Sequence, residues 1–217
     1  GGATAVCASA RLSAAAVADT AREQQSASGN FPGPAPVVAR AAFVHPLQLA
    51  RAARDGAAAV ILPLDLAGAD TTRELLACAH CLGLDTMVRV VDEAGLEEAV
   101  AMGAAAVVIG DVSLDEAEVL RARLPTEALS VCDVRLRDIR DVWRARDLGF
   151  HSVVAGEMLL KACARDGMEP SLLIKAMLAK GSVEFGGGAG KVVSGGGSAY
   201  GPSVPKSMPT FKPINKI

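Results

Sequence analysis

The sequence has few aromatic residues, little net charge and no long apolar run. Phenylalanine, tryptophan and tyrosine make up 3% of the 217 residues, whereas hydrophobic residues as a whole make up 51%. This apolar content excludes a disordered chain and predicts a core of alanine and branched aliphatic side chains. The net charge of −2 argues against a nucleic-acid partner. No run reaches the roughly 18 apolar residues of a membrane helix, which leaves at most a peripheral place beside a membrane complex.

The sequence is also poor in patterns that hold metals or cofactors. Its five cysteines are scattered and odd in number, which favours free thiols in a reducing compartment over a disulfide framework. Cys78 and Cys81 form a CxxC string, but it lies inside a helical pattern and lacks further ligands, so helix packing is the favoured interpretation. The three histidines, His45, His80 and His151, are interpreted as structural. We predict no metal and no cofactor.

A phrase with a glycine before an apolar run recurs three times. The copies read RDGAAAVIL, AMGAAAVVI and DLGFHSVVA, with their glycines at Gly56, Gly103 and Gly149, 47 and 46 residues apart. Glycine is favoured just past a helix because it tolerates positive φ. The apolar run after it lacks alternation, as expected for a strand covered on both faces. Each copy therefore predicts a helix end followed by a buried strand.

Further strand and helix patterns alternate with these copies. The additional strands are predicted at 3–8, 37–44, 85–91 and 129–134, and the helices at 12–24, 47–54, 70–82, 93–102, 114–123, 137–148, 158–164 and 171–180. This βα order predicts an α/β protein with a parallel sheet, for which a (βα)₈ barrel and an open doubly wound sheet both fit. The even double period favours a (βα)₈-type barrel, incomplete at six or seven units.

The predicted organisation has three parts: an N-terminal segment over residues 1–35, a partial barrel over 36–180 and an extended arm over 181–217. The arm holds nine glycines, four prolines and four lysines with a single acid, a composition typical of a flexible tail. Plain disorder is one interpretation. The other is an arm that becomes ordered on a partner protein, anchored by Val192, Val193, Tyr200, Phe211 and Ile214.

The start of the sequence hints at where the protein works. It begins at Gly1, and its first 25 residues are rich in alanine and serine with few acids. Such stretches are typical of the borders of transit peptides. We therefore expect a soluble protein of a reducing compartment, imported into an organelle such as the plastid stroma after removal of a leader.

Three stretches resemble indole-3-glycerol-phosphate synthase, the (βα)₈ enzyme of tryptophan synthesis. PVVARAAFVHPLQLARAARDGAAAVIL resembles the family's third strand, the helix after it and the fourth strand. LDTMVRVVDEAGLEEAV resembles the fifth strand with its helix, and GFHSVVAGEMLL resembles the eighth strand with its phosphate-binding turn. The resemblance runs from Pro36 to about Lys180, and it rests mainly on scaffold positions, so it implies fold more than activity.

The same resemblance implies that the family's catalytic positions are replaced. The lysine of its third strand is Arg40 here, the glutamate of its fifth strand is Arg89, and the asparagine of its sixth strand falls at Gly110. The lysine acts as general acid in the ring closure, and arginine is a poor proton donor because its pKa exceeds about 12. The family's first strand, with a further glutamate and lysine, has no counterpart.

The positions that the resemblance assigns to phosphate binding have changed as well. The seventh strand of the family carries Glu-Ser-Gly, where this sequence has Asp133, Val134 and Arg135. In the eighth strand Gly156 is kept, but Glu157 replaces a serine. A carboxylate beside a phosphate site repels the dianion. Weak ligand-binding candidates remain at Gly156, Arg40, Arg89 and Arg135.

Six charged residues thus stand at the predicted strand ends. They are Arg40, Asp65, Arg89, Asp111, Asp133 and Arg135. Three interpretations are open: a salt-bridged plug, a rim that binds an anionic ligand or a charged partner, and a new catalytic site. We predict a non-catalytic, synthase-like barrel that serves as a structural or accessory subunit of a larger assembly. The alternatives are a sensor of a phosphorylated metabolite, a diverged synthase, and a regulatory partner of a true synthase.

Overall fold

Seven parallel strands form a single sheet in the part of the chain that the structure describes. The computed structural model describes residues 3–9, 15–30, 33–167 and 169–179, all within a unit that spans Gly1–Lys180. The strands are β1 (Val6–Ser9), β2 (Val37–Arg40), β3 (Ala59–Pro63), β4 (Asp85–Val90), β5 (Ala106–Gly110), β6 (Leu129–Asp133) and β7 (Ser152–Val153). Each strand pairs with the next in parallel, so the sheet order equals the chain order.

Helices connect the strands. They are α1 (Ala16–Ser26), α2 (Pro46–Arg54), α3 (Leu64–Ala67), α4 (Ala69–Cys81), α5 (Glu93–Ala101), α6 (Leu114–Arg123), α7 (Ile139–Asp147), α8 (Gly156–Asp166) and α9 (Pro170–Leu178). The prediction of an incomplete (βα)₈-type barrel is confirmed, with seven βα units. The arm over 181–217 and its five anchors, Val192, Val193, Tyr200, Phe211 and Ile214, lie outside the described residues.

The three repeat glycines behave as the sequence predicts. Gly56, Gly103 and Gly149 have φ values of +92°, +73° and +86°, and each lies between the end of a helix and the next strand. A side chain would be strained in this left-handed conformation, which explains why glycine stands there in every copy.

Alternate residues of each strand face the helices or the lumen of the curled sheet. In β3, Val60 and Leu62 pack outward in a core with α1, α2 and α4. Ala59 and Ile61 belong to a separate, smaller cluster with Val38 and Val108, which fills the lumen. A third core joins β4, β5 and β6 to α5, α6 and α7. This layered packing positions the carboxyl ends of the strands around one mouth.

Side chains cap the starts of several helices, including α6 and α7. Asp138 accepts hydrogen bonds from the backbone N–H groups of Arg140 and Asp141 and starts α7. Ser113 and Glu116 form a reciprocal capping box at the start of α6, which satisfies backbone donors that the helix itself leaves open. Within the part of the chain that the structure describes, no helix combines the length and apolar character needed to cross a bilayer.

Candidate functional site at the mouth of the barrel

Five charged side chains meet where the strands end. Arg40, Arg89 and Asp133 stand at or next to the carboxyl ends of β2, β4 and β6, while Asp65 and Asp111 follow β3 and β5. Parallel strands in a curled sheet place their carboxyl ends at one rim, where barrel enzymes hold their active sites. The sequence predicts these residues at the strand ends, and the structure shows how they pair.

One ion pair crosses the lumen. Nη1 of Arg40 lies 2.7 Å from Oδ2 of Asp133 and donates a hydrogen bond of 3.0 Å to its Oδ1. The Asp133 side chain is only 8% exposed and that of Arg40 is 30% exposed. Burial raises the pKa of Asp133 above its ordinary value, and the positive charge of Arg40 opposes that rise. The pair therefore neutralises a charge that would otherwise be costly to bury.

Arg89, the second cation of the rim, pairs with two carboxylates. Nη2 of Arg89 donates hydrogen bonds of 2.9 Å to both carboxylate oxygens of Asp65, and its Nη1 contacts the carboxylate of Asp111. The Arg89 side chain is 12% exposed. Because its guanidinium connects the ends of β3, β4 and β5, little of it is left for a ligand.

A glycine makes room for the buried carboxylate. Gly110 and Asp133 are paired neighbours on β5 and β6. A Cβ atom at Gly110 would lie 3.3 Å from the Asp133 carbonyl oxygen and 3.5 Å from its Oδ2. Asp111, the next residue, has a positive φ of 57°, which is unusual for a residue other than glycine. The turn after β5 is thus shaped around the charged network.

Arg135 is placed differently from the other two arginines. It is exposed and has no hydrogen bond or ion pair with any residue in the described ranges. It lies close enough to Glu157 to lower the pKa of that carboxyl, although the larger cause is the hydrogen bond from Lys161, 2.6 Å away. Gly156 opens α8, whose first turn lacks a side-chain cap. Arg135 therefore lies near Glu157 in the first turn of the helix that Gly156 starts.

Two features of the mouth escaped the sequence analysis. Cys7 on β1 lies within the electrostatic reach of Arg40 and Asp133, and the crowding of Gly110 by Asp133 was not foreseen. The register of β1 against β2 puts Cys7 opposite Val38, on the lumen side. Neither contact is visible in the sequence, because β1 has four residues and no charge, and the crowding of Gly110 depends on the register of β5 against β6.

The CxxC string stays within a helix, as predicted. Cys78 and Cys81 both lie in α4, and their thiols are free. Across residues 3–9, 15–30, 33–167 and 169–179, no three histidine, cysteine or carboxylate side chains come close enough to hold a metal ion. The histidines also have local roles, since His45 caps α2 and Nδ1 of His151 lies 2.9 Å from Oγ of Ser130.

The family model and the curated relatives that match this chain carry the same family description. The family model described as indole-3-glycerol phosphate synthase matches residues 34–167. The curated synthase of Acetivibrio thermocellus is 26% identical over 136 residues, which cover 59% of this chain and 52% of that protein. The synthase of Ruminiclostridium cellulolyticum is 29% identical over 134 residues, or 58% of this chain and 52% of the relative. The chain thus spans about half the length of the curated relatives that it matches.

Solved structures agree on the fold. A mandelate oxidase variant with benzaldehyde superposes with a TM-score of 0.58 at 14% identity, covering 80% of this chain and 71% of the other. A native KDPGal structure gives a TM-score of 0.52 at 14% identity, covering 80% and 91%. Fold and mouth together define a TIM-barrel-type protein whose strand ends are joined by arginine–aspartate pairs. The chain belongs to the indole-3-glycerol phosphate synthase family.

Proposed function

We propose that this chain is a non-catalytic member of its family that serves as a structural or accessory subunit of a larger protein assembly. The observation that carries the proposal is the Arg40–Asp133 pair, which occupies the mouth where a barrel enzyme would bind its substrate. A substrate could enter only by displacing a hydrogen-bonded pair whose carboxylate is almost fully buried.

The chemistry of the remaining groups supports the same proposal. General acid catalysis needs a group that releases a proton near neutral pH, and a guanidinium does not. Arg40 is bound to Asp133, and Arg89 is held between Asp65 and Asp111. Arg40 and Arg89 are therefore each paired with a carboxylate of the rim, and no acid–base pair among these five residues is left poised for proton transfer.

A turnover assay tests the first half of the proposal. The full chain is incubated with the substrate of indole-3-glycerol phosphate synthase, and the fluorescence of the indole product is followed beside a catalytic family member at equal concentration. We expect no product above that of a heat-denatured sample. Turnover within about a hundredfold of the catalytic member would identify a diverged synthase instead.

The second half of the proposal concerns the arm over 181–217, which lies outside the described residues. Its apolar residues are spaced among glycines, prolines and lysines, a pattern that suits an extended segment bound along a partner. Size-exclusion chromatography of native extract, followed by mass spectrometry, should place the chain in a complex far above 22.1 kDa. The full chain carrying Tyr200→Ser and Phe211→Ser should elute as a monomer. A wild-type chain that elutes as a monomer would refute the subunit role.

Arg135 favours a second candidate function, a sensor of phosphorylated metabolites. Its guanidinium is exposed and lacks an ion pair among the described residues, and Gly156 opens a helix nearby. Thermal unfolding with inorganic phosphate or ribose 5-phosphate tests this candidate, because a ligand of the folded state raises the melting temperature. A rise of several degrees that is lost in Arg135→Gln, but kept in the control Arg137→Gln, would support the sensor. An unchanged melting temperature would count against it.

A further inference from the structure

The sheet does not close on itself in the part of the chain that the structure describes. Its strand order runs from β1 to β7, and no backbone ladder joins those two edge strands. Each edge has an exposed residue, Cys7 on β1 and Ser152 on β7, whereas Ala8 on β1 is buried. β1 and β7 are therefore not joined by backbone hydrogen bonds, and the gap between these two edge strands forms a seam.

Few contacts hold the two sides of the seam together across the lumen. The buried lumen cluster contains Val38, Ala59, Ile61 and Val108, with the partly buried Met87 and Val131 packed against it. In the described ranges, Arg40–Asp133 is the ion pair that joins two strands that are not sheet neighbours, β2 and β6. Each of these strands lies next to an edge strand, so the pair spans the sheet close to the seam.

We propose that the Arg40–Asp133 pair is a strut that keeps the open sheet curled and limits the separation of β1 and β7. A buried carboxylate that loses its partner must regain contact with water. The seam offers water a route into the lumen, because Cys7 and Ser152 on its two edges are already exposed. Loss of Arg40 should thus move β1 and β7 apart, whereas the Arg89 cluster, which joins adjacent strands, would not resist that motion.

The packing of the central strands explains why faster exchange should stay confined to the edge strands. β4 lies in the centre of the sheet, where it pairs with β3 and β5, and Val88 and Val90 are 1% exposed. Opening the seam does not require these contacts to break. Edge strands therefore exchange their amide protons by local opening, while the centre exchanges by global unfolding.

Hydrogen exchange followed by mass spectrometry tests the strut in the full chain. Arg40→Met removes the cation and keeps an apolar stem of similar length. We expect peptides that cover β1 and β7 to exchange about tenfold faster than in the wild type, with β4 unchanged. The matched control is Arg123→Met, which breaks the 2.7 Å pair with Glu93 between outer helices and should leave both edge strands at the wild-type rate.

A milder variant keeps the proposal testable if Arg40→Met fails to fold. Arg40→Lys retains the charge but loses the planar donor group, so we expect an acceleration of about threefold that is again confined to β1 and β7. Wild-type exchange at both edges in the variant that folds would overturn the proposal. An equal acceleration in β4 would also overturn it, because the pair would then stabilise the whole protein rather than the seam.

Discussion

At the scale of single residues, the mouth depends on the absence of a side chain at Gly110. A Cβ atom there would come within 3.3 Å of the Asp133 carbonyl oxygen, a backbone atom that cannot move without disturbing the β5–β6 ladder. Because Gly110 does not have a positive φ, backbone strain plays no part. Crowding of the buried carboxylate is thus the feature that a substitution would change.

We predict that Gly110→Ala lowers the free energy of unfolding by about 1–3 kcal/mol, the usual cost of overpacking a filled site. Urea unfolding monitored by circular dichroism measures this change. Gly156→Ala is the matched control, because no atom lies within 4 Å of its would-be Cβ, and alanine favours the helix that begins there. If Gly110→Ala and the wild type have equal free energies of unfolding, β6 can shift to accommodate the methyl group without loss of stability.

The raised pKa of Asp133 predicts an unusual dependence of stability on pH. A carboxyl whose pKa is raised in the folded protein binds its proton more tightly there than in the unfolded chain, where 3.8 is its ordinary value. Its contribution to stability is fully present below the unfolded pKa and is lost as pH rises through the folded pKa. The free energy of unfolding of the wild type minus that of Asp133→Asn should therefore fall as pH rises above 3.8, the ordinary pKa of the carboxyl. Urea titrations of both proteins at several pH values measure the difference, and an increase with pH would contradict the burial of this group.

At the scale of elements, polar side chains cap the starts of α2, α5, α6 and α7. Asp138 accepts from the backbone N–H of Arg140 at 2.8 Å and from that of Asp141 at 3.4 Å. We predict that Asp138→Ala costs about 1 kcal/mol of unfolding free energy, measured by urea denaturation. The control Asp147→Ala removes an exposed carboxylate at the other end of the same helix and should cost less than about 0.5 kcal/mol. Equal losses in both variants would refute the capping role.

A helix cap also explains why one strand is shorter than the sequence predicted. The apolar run predicted a strand over residues 37–44, but β2 ends at Arg40. The chain turns there because Phe43 packs into the outer core and His45 with Gln48 forms a capping box that starts α2. Apolar periodicity cannot separate a strand residue from a loop residue that fills a core. The order of the strands and of the longer helices was therefore predictable, whereas this boundary and the short α3 were not.

At the scale of the whole molecule, the repeat predicted the barrel but not the pairing within its mouth. Equal spacing of three helix-ending glycines requires equal βα units, and equal units require a parallel sheet. The partner of Arg40 depends instead on how far the sheet curls, because β2 and β6 are separated by three strands. The rim residues could be found from strand ends in the sequence, whereas the choice among several aspartates required three-dimensional distances.

The linked charges of the mouth lead to a prediction about restoring the family's residues. The double variant Arg40→Lys, Arg89→Glu returns two positions to the pattern that the family resemblance implies. It also places a third carboxylate beside Asp65 and Asp111, which now share the Arg89 guanidinium. We predict a loss of about 1–3 kcal/mol of unfolding free energy from this repulsion and no synthase turnover in the fluorescence assay.

The control for this variant is Arg123→Glu, which creates a like-charge pair with Glu93 on the outer helices, where both side chains are about half exposed. Solvent screening should limit its cost to less than about 1 kcal/mol. Because Asp65 and Asp111 share the Arg89 guanidinium, its reversal leaves both carboxylates without that cation, and catalysis should not return. Product formation by the double variant would mean that the mouth is a synthase active site that lacks only those two residues. The proposed non-catalytic role would then be wrong.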